Sequence, residues 1–238
     1  MKNIILIPVL FLLSIKYSYA QDLPAASGVS NNIIGHTAFV EAYDENGKPL
    51  TEVNKKVAGS PVLNENWGKG QVRFINDFLF QNMELQFDLY TNELHFRKDS
   101  IGYSFVDLIK EFSLEYTEED KVKSATFRSG YPSIQKKTST TFYKVLASGP
   151  NVHLLDYVSK QVRENYTYAG PLRIEYKTED EYFLYDVKTG NIKNVNLSRS
   201  SLLKALPAYA DAIKKIADDN NYNFKSENEV IKLFKALN

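Results

Sequence analysis

From Met83 to Tyr90 the chain alternates, with Met83, Leu85, Phe87 and Leu89 separated by Glu84, Gln86 and Asp88. A period of two places the apolar set on one face of a half-buried strand. Thr91-Asn92 supplies a turn, and Leu94 and Phe96 resume the alternation, so residues 83–96 read as a hairpin. A second hairpin joins Tyr182–Val187 to Ile192–Leu197 across Lys188-Thr189-Gly190-Asn191. A third pairs Phe142–Ala147 with Val152–Val158 across Ser148-Gly149-Pro150-Asn151. Residues 36–43 read as a further strand that ends at the turn Asp44-Glu45-Asn46-Gly47. Phe105, Leu108, Ile109 and Phe112 also fit a helix face, but the surrounding strands favour strand for Ile109–Tyr116.

The last forty residues change period. Leu202, Leu206, Tyr209, Ile213 and Ile216 recur at steps of four and three, the stripe of an amphipathic helix. Pro207 either starts a helix after a short turn or kinks a continuous one. Asp219-Asn220-Asn221 ends it, and Ser226 with Glu229 is a capping box ahead of Val230, Leu233, Phe234 and Leu237. The expected fold is α+β: a mainly antiparallel sheet, curved or an open barrel built of hairpins, with a C-terminal pair of amphipathic helices.

The first twenty residues stand apart. Lys2 precedes an apolar run from Ile4 to Ile15, and Ser18-Tyr19-Ala20 places small residues before a cut ahead of Gln21. This is the grammar of a secretory signal peptide. The organisation expected is a signal peptide over 1–20, a polar leader over 21–32, a β-rich domain over 33–198 and a helical segment over 199–238 packed on it. The product is expected in the periplasm or outside the cell. The chain has no Cys, so disulfides cannot staple it and no thiol can carry a lipid anchor. No second apolar stretch is long enough for a transmembrane helix. Without residues 1–20, 27 basic residues face 29 acidic ones, a net charge of −2 that gives no electrostatic reason to bind nucleic acid.

Candidate chemistry is sparse. Ser133-Ile134-Gln135-Lys136 matches S-x-x-K and Lys188-Thr189-Gly190 matches K-T-G, the serine and lysine elements of penicillin-recognising enzymes. The match fails on context: Pro132 and Lys136–Ser139 read as loop, and no S-D-N lies between the two. His36, His95 and His153 are not spaced to present two imidazoles to one metal, so no metal site or cofactor is expected. Glu118-Glu119-Asp120 and Glu179-Asp180-Glu181 read as solvated turns. Trp67, Tyr90, Tyr103, Tyr131, Tyr166 and Tyr168 are expected in or near loops, where aromatics can line an apolar groove. The binding candidates are Trp67, Tyr90 and His95, and no catalytic residue is singled out.

Gly59–Trp67, Leu89–Leu94, Phe142–Leu146 and the tail from Ser200 to Leu237 resemble a group of secreted proteins common in Bacteroidetes that has no assigned activity. The resemblance spans most of the chain after residue 20 and brings no catalytic residues with it. It also implies that Asp99-Ser100-Ile101 is similar to the short acceptor motif for bacterial O-glycosylation in that group. The functional expectation is an exported, non-catalytic protein that binds an apolar ligand or a partner protein along its sheet. The alternative is a secreted or periplasmic hydrolase with an unrecognised carboxylate or His site.

Overall fold

The computed structural model describes residues 39–41, 57–118, 120–165 and 173–238. Eleven strands form one antiparallel sheet: β1 (Phe39–Glu41), β2 (Gly68–Phe74), β3 (Leu79–Asp88), β4 (Glu93–Lys98), β5 (Ile101–Phe105), β6 (Ile109–Glu118), β7 (Lys121–Arg128), β8 (Tyr143–Ala147), β9 (Val152–Asn165), β10 (Arg173–Asp186) and β11 (Asn191–Val195). Their order across the sheet is β1-β5-β4-β3-β2-β6-β7-β8-β9-β10-β11. Three helices follow, α1 (Arg199–Ala205), α2 (Ala210–Asp219) and α3 (Glu227–Leu237), with a 3-10 turn at Pro207–Tyr209. The fold is α+β and sheet-dominated, as the hairpin pattern predicts. It carries three helices rather than the expected pair.

Turn chemistry explains where the strands stop. Asp88 Oδ1 accepts from the backbone N–H groups of Tyr90 (2.7 Å) and Thr91 (3.0 Å), so β3 ends there instead of running on to Tyr90. Asn92 takes the left-handed conformation (φ 62°) that its short side chain tolerates. Pro207 sits at the first position of its 3-10 turn, so the stripe from Leu202 to Ile216 is broken into α1 and α2 rather than kinked. Ser226 Oγ caps α3 by accepting from Glu229 N–H (3.3 Å), while Glu229 Oε2 accepts from Asn223 N–H (3.2 Å).

The expected turn at Glu179-Asp180-Glu181 is a correction: these residues lie inside the fourteen-residue β10. Strand geometry sends Glu179 and Glu181 to one face and Asp180 to the other. Glu179 pairs with Arg163 and Glu181 with Lys137, so three adjacent carboxylates need no solvated turn. The signal peptide, the leader, His36, Asp44–Gly47, Tyr166 and Tyr168 lie outside the described residues.

The sheet rolls. Phe87 on β3 and Phe127 on β7 are three strand steps apart, roughly 14 Å along a flat sheet. Their rings lie 4.7 Å apart, centre to centre. Further round, Lys160 N–H on β9 donates to Leu89 O just past β3, at 3.0 Å. Residues 58–63 fill the seam there. Leu63 N–H donates to Phe87 O, Leu89 N–H to Pro61 O, and the Lys160 ammonium to the carbonyls of Ser60 and Val62. The sheet is an open barrel, its two edge strands being β1 and β11. Gly70 permits close approach of β2 and β6, because a Cβ at that position would collide with the Ser113 carbonyl oxygen.

Two apolar cores share one face of this sheet. A single cross-strand row runs Val72, Phe112, Phe127, Lys144, Asp156, Tyr182, Val195. At the β2–β7 end of the row, Phe112 and Phe127 join Phe74 and Phe87 in the rolled interior. At the β9–β11 end, Val195 joins Leu154 and Leu184 beneath Leu202, Ile213, Val230 and Phe234 of the helices. The reverse face of β8–β10 carries Tyr143, Leu155 and Phe183, covered by Tyr131 and Ile134 of the β7–β8 connection.

Candidate functional site

In the rolled interior the described phenylalanines are packed ring to edge and almost completely buried. Space opens instead at one end of the phenylalanine core, as a groove of about 690 Å³. That is the size of a small-molecule site. Leu94, Phe105, Ile109 and Phe142 line it and belong to the core, so its floor is the core's own end. One wall is the β5–β6 connection with Val106, Asp107 and Leu108; the other is the β7–β8 strap with its hydroxyl run Thr138–Thr141.

The rim is unusually apolar for a water-facing surface. Ile75 is 61% exposed, Phe78 58%, Val106 53% and Leu108 54%. Ile75, Val106 and Leu108 line the groove itself. Ile75 N–H donates to Leu108 O, and Phe74 N–H donates to Phe78 O, so backbone hydrogen bonds hold the turn after β2 against the β5–β6 connection. Contiguous exposed apolar side chains of this kind mark interaction sites more often than chance decoration.

The groove wall is anchored on both sides. Asn92 accepts from Phe142 N–H (2.8 Å) and donates to Phe142 O (3.2 Å), tying the β3–β4 turn to the end of the strap. On the far side Lys137 is 8% exposed. Its ammonium donates to both carboxylate oxygens of Glu181 (2.9 and 3.1 Å) and stands 4.3 Å from the Tyr157 ring centre and 5.2 Å from that of Phe183. Lys137→Ala leaves Glu181 without its cation and opens a void under the strap. The expected loss is about 1–3 kcal/mol, below the figure for fully buried pairs because Glu181 is partly exposed. Urea unfolding checks this, and Lys137→Arg, which keeps the charge, should lose less.

The sequence candidates do not converge on the groove. Trp67 lies over Arg97, with the guanidinium carbon 5.6 Å from the ring, and Arg97 is bound in turn by both oxygens of Glu84. His95 occupies the same face of β4 as Arg97, two residues away. Its Nδ1 lies 3.1 Å from Ser104 Oγ on β5, and burial holds the imidazole below its ordinary pKa. Tyr90 is on the opposite side of the seam, edge-on to Tyr176 at 5.7 Å. One expected loop aromatic is a correction: Tyr103 lies within β5, stacked on Phe96. Tyr131 lies in the β7–β8 connection, buried, with its hydroxyl 3.0 Å from His153 Nδ1. Burial pushes the Tyr131 phenol up to about 12 and the His153 imidazole down, so both are neutral near pH 7.

Ser133 is exposed beside the short bridge between Ile134 and Lys137, with no helix for it to open, and Lys188-Thr189-Gly190 is the β10–β11 turn. The β-lactam-type reading therefore has no structural footing. Asp99 and Ser100 form the exposed two-residue turn between β4 and β5, both with positive φ. Among the described residues no group of three or more acidic or His side chains is arranged to hold a metal ion. No helix among them is long and apolar enough to cross a membrane.

What sequence reasoning missed is the groove, whose lining comes from six separate stretches between Ile75 and Tyr157. Contacts between residues far apart in sequence close this end of the barrel, through Leu89 N–H to Pro61 O and through the Asn92–Phe142 pair. No family model matches the chain, and no curated protein or solved structure is similar to it.

Proposed function

We propose that this chain is an exported, non-catalytic binding protein that takes an apolar or amphiphilic ligand in the groove at the end of its phenylalanine core. Export rests on the signal-like first twenty residues. One observation carries the ligand reading: Ile75, Val106 and Leu108 are more than half exposed around a groove whose floor is core. Covering such side chains with a ligand returns about 25 cal/mol for each Å² of apolar surface removed from water. The strap supplies hydroxyls for a polar head group. The groove's lining includes no His, and its carboxylates are Glu93 and Asp107. A hydrolase reading would have to rest on Ser104, which lines the groove and whose Oγ lies 3.1 Å from His95 Nδ1.

Titration with a fluorescent acyl chain such as cis-parinaric acid tests this reading. Leu108→Asp puts a charge on the rim at an exposed position, and is expected to weaken the probe at least tenfold with no change in melting temperature. Val122→Asp, at a side chain 74% exposed at the start of β7, should leave binding untouched. Equal affinity of Leu108→Asp and wild type would remove the groove from the function. Native mass spectra that show only empty protein from its natural compartment would remove the ligand.

A further inference from the structure

We propose that Asp156, lodged between Lys144 and Tyr182, is a proton-operated latch that governs how firmly helix α3 is held on the sheet. Its position is singular. Along β9, Leu154 belongs to the helix-covered core and Val158 to the phenylalanine core, and Asp156 stands between them on the same face. It is 2% exposed, and its Oδ1 has no hydrogen-bond partner among the described residues. A buried carboxylate in that condition costs several kcal/mol if it is charged.

The groups that face it decide its protonation. Lys144 stands opposite on β8 and Tyr182 opposite on β10. Asp180 lies two residues from Tyr182 on the same face, and Glu227 approaches from the first turn of α3. Tyr182 Oη donates to Glu227 Oε2 at 2.8 Å, which couples the row directly to the helix. Two further carboxylates thus oppose one lysine and the partial positive charge of the α3 N-terminus. Burial first and Asp180 second push the Asp156 carboxyl up to about 8, against the pull of Lys144. Burial raises Asp180 as well, and Glu227 adds to it.

The far end of α3 is fixed by uncharged contacts. Asn238 accepts from the N–H groups of Asn151 (3.2 Å) and Val152 (3.0 Å) and donates to Val152 O (2.8 Å). Proton release at Asp156 therefore loosens the N-terminal attachment of a helix still clamped by Asn238. The sign follows from the raised carboxyl. Docking is tightest when the proton is bound, weakens by up to tenfold per pH unit as pH rises from about 4 towards about 8, and is constant above that. The openings are rare, because Val230, Leu233 and Phe234 must leave the core, so amide hydrogen exchange is the suitable probe.

Exchange of the mature protein should be followed between pH 5.5 and pH 8.5, with rates corrected for intrinsic chemistry. Amides of Val230–Leu237 are expected to lose tenfold or more protection across that range and, opening locally, to exchange faster than those of Phe112 and Phe127 at every pH. Asp156→Asn should abolish the pH response of α3. A pH-independent α3 in wild type, or an unchanged response in Asp156→Asn, overturns the latch. Glu227→Gln, on the partly exposed first turn, keeps the test open if Asp156→Asn folds poorly. It should shrink the response severalfold, and an undiminished response counts against the proposal.

Discussion

Phe87→Ala should lower the free energy of unfolding by about 3–5 kcal/mol, the range for removing a buried aromatic ring from a close-packed core. Phe87 is 1% exposed and touches the rings of Phe112 (5.1 Å), Phe127 (4.7 Å) and Phe142 (6.0 Å). These come from β6, β7 and the end of the strap, so truncation empties the point where the rolled sheet meets itself. Backbone pairing along β2–β6 prevents the strands from closing the void. Phe78→Ala is the matched control. Its ring is 58% exposed in the connection between β2 and β3, and its loss should change stability by no more than about 0.5 kcal/mol. Urea or guanidinium unfolding of the two variants measures the contrast. Similar losses at the two positions would mean that the packed interior described here is not the stabilising core.

Asp156→Asn is expected to stabilise the whole protein at pH 8 by about 2–4 kcal/mol, an uncommon sign for a buried substitution. In the unfolded chain this carboxyl titrates near 3.8; in the folded chain it is pushed up to about 8 by burial and by Asp180. The folded state therefore binds the proton more tightly. Wild-type stability falls as pH rises between those two values and is level on either side. Each pH unit of the interval is worth about 1.4 kcal/mol, which bounds the effect at roughly 6 kcal/mol; relaxation around the charge reduces it. Asparagine keeps the shape and removes the charge. The gain should shrink to below about 1 kcal/mol at pH 4, where the folded Asp156 is protonated and the unfolded one is about half so. Denaturant midpoints at pH 4, 6 and 8 check both size and direction. A variant that is less stable than wild type at pH 8, or a gain that does not depend on pH, would show that Asp156 is stabilised as a carboxylate.

The seam at Asp156 and the groove share an origin that bears on function. Both exist because one sheet face serves two cores, a rolled aromatic one and a helix-covered one. A sheet wholly covered by helices would not leave the end of its aromatic core open beside Leu108. Residue type alone does not separate the roles. Phe87 and Phe78 are nine residues apart, one sealed within β3 and one exposed in the connection just before it.

The sequence by itself determined the elements whose cause is local. The alternation from Met83 to Leu89, the turns at Asn92 and Gly190, the cap at Ser226 and the break at Pro207 each act through side chains within a few residues, and each appears in the structure as an element or its end. Local cues misread Glu179-Asp180-Glu181, because the partners that let them lie in a strand, Arg163 and Lys137, are 16 and 44 residues away. Only the tertiary structure decided the strand order that places β2 between β3 and β6, the roll that brings Lys160 to Leu89, and the meeting of Asn92 with Phe142. It alone decided that Asp156 is a buried acid rather than one more charged strand residue. Period and turn chemistry fix where a strand starts and which way its side chains point. Which strands become neighbours, and what they enclose, depends on closing long loops over apolar surface, and no contiguous stretch of residues encodes that energy.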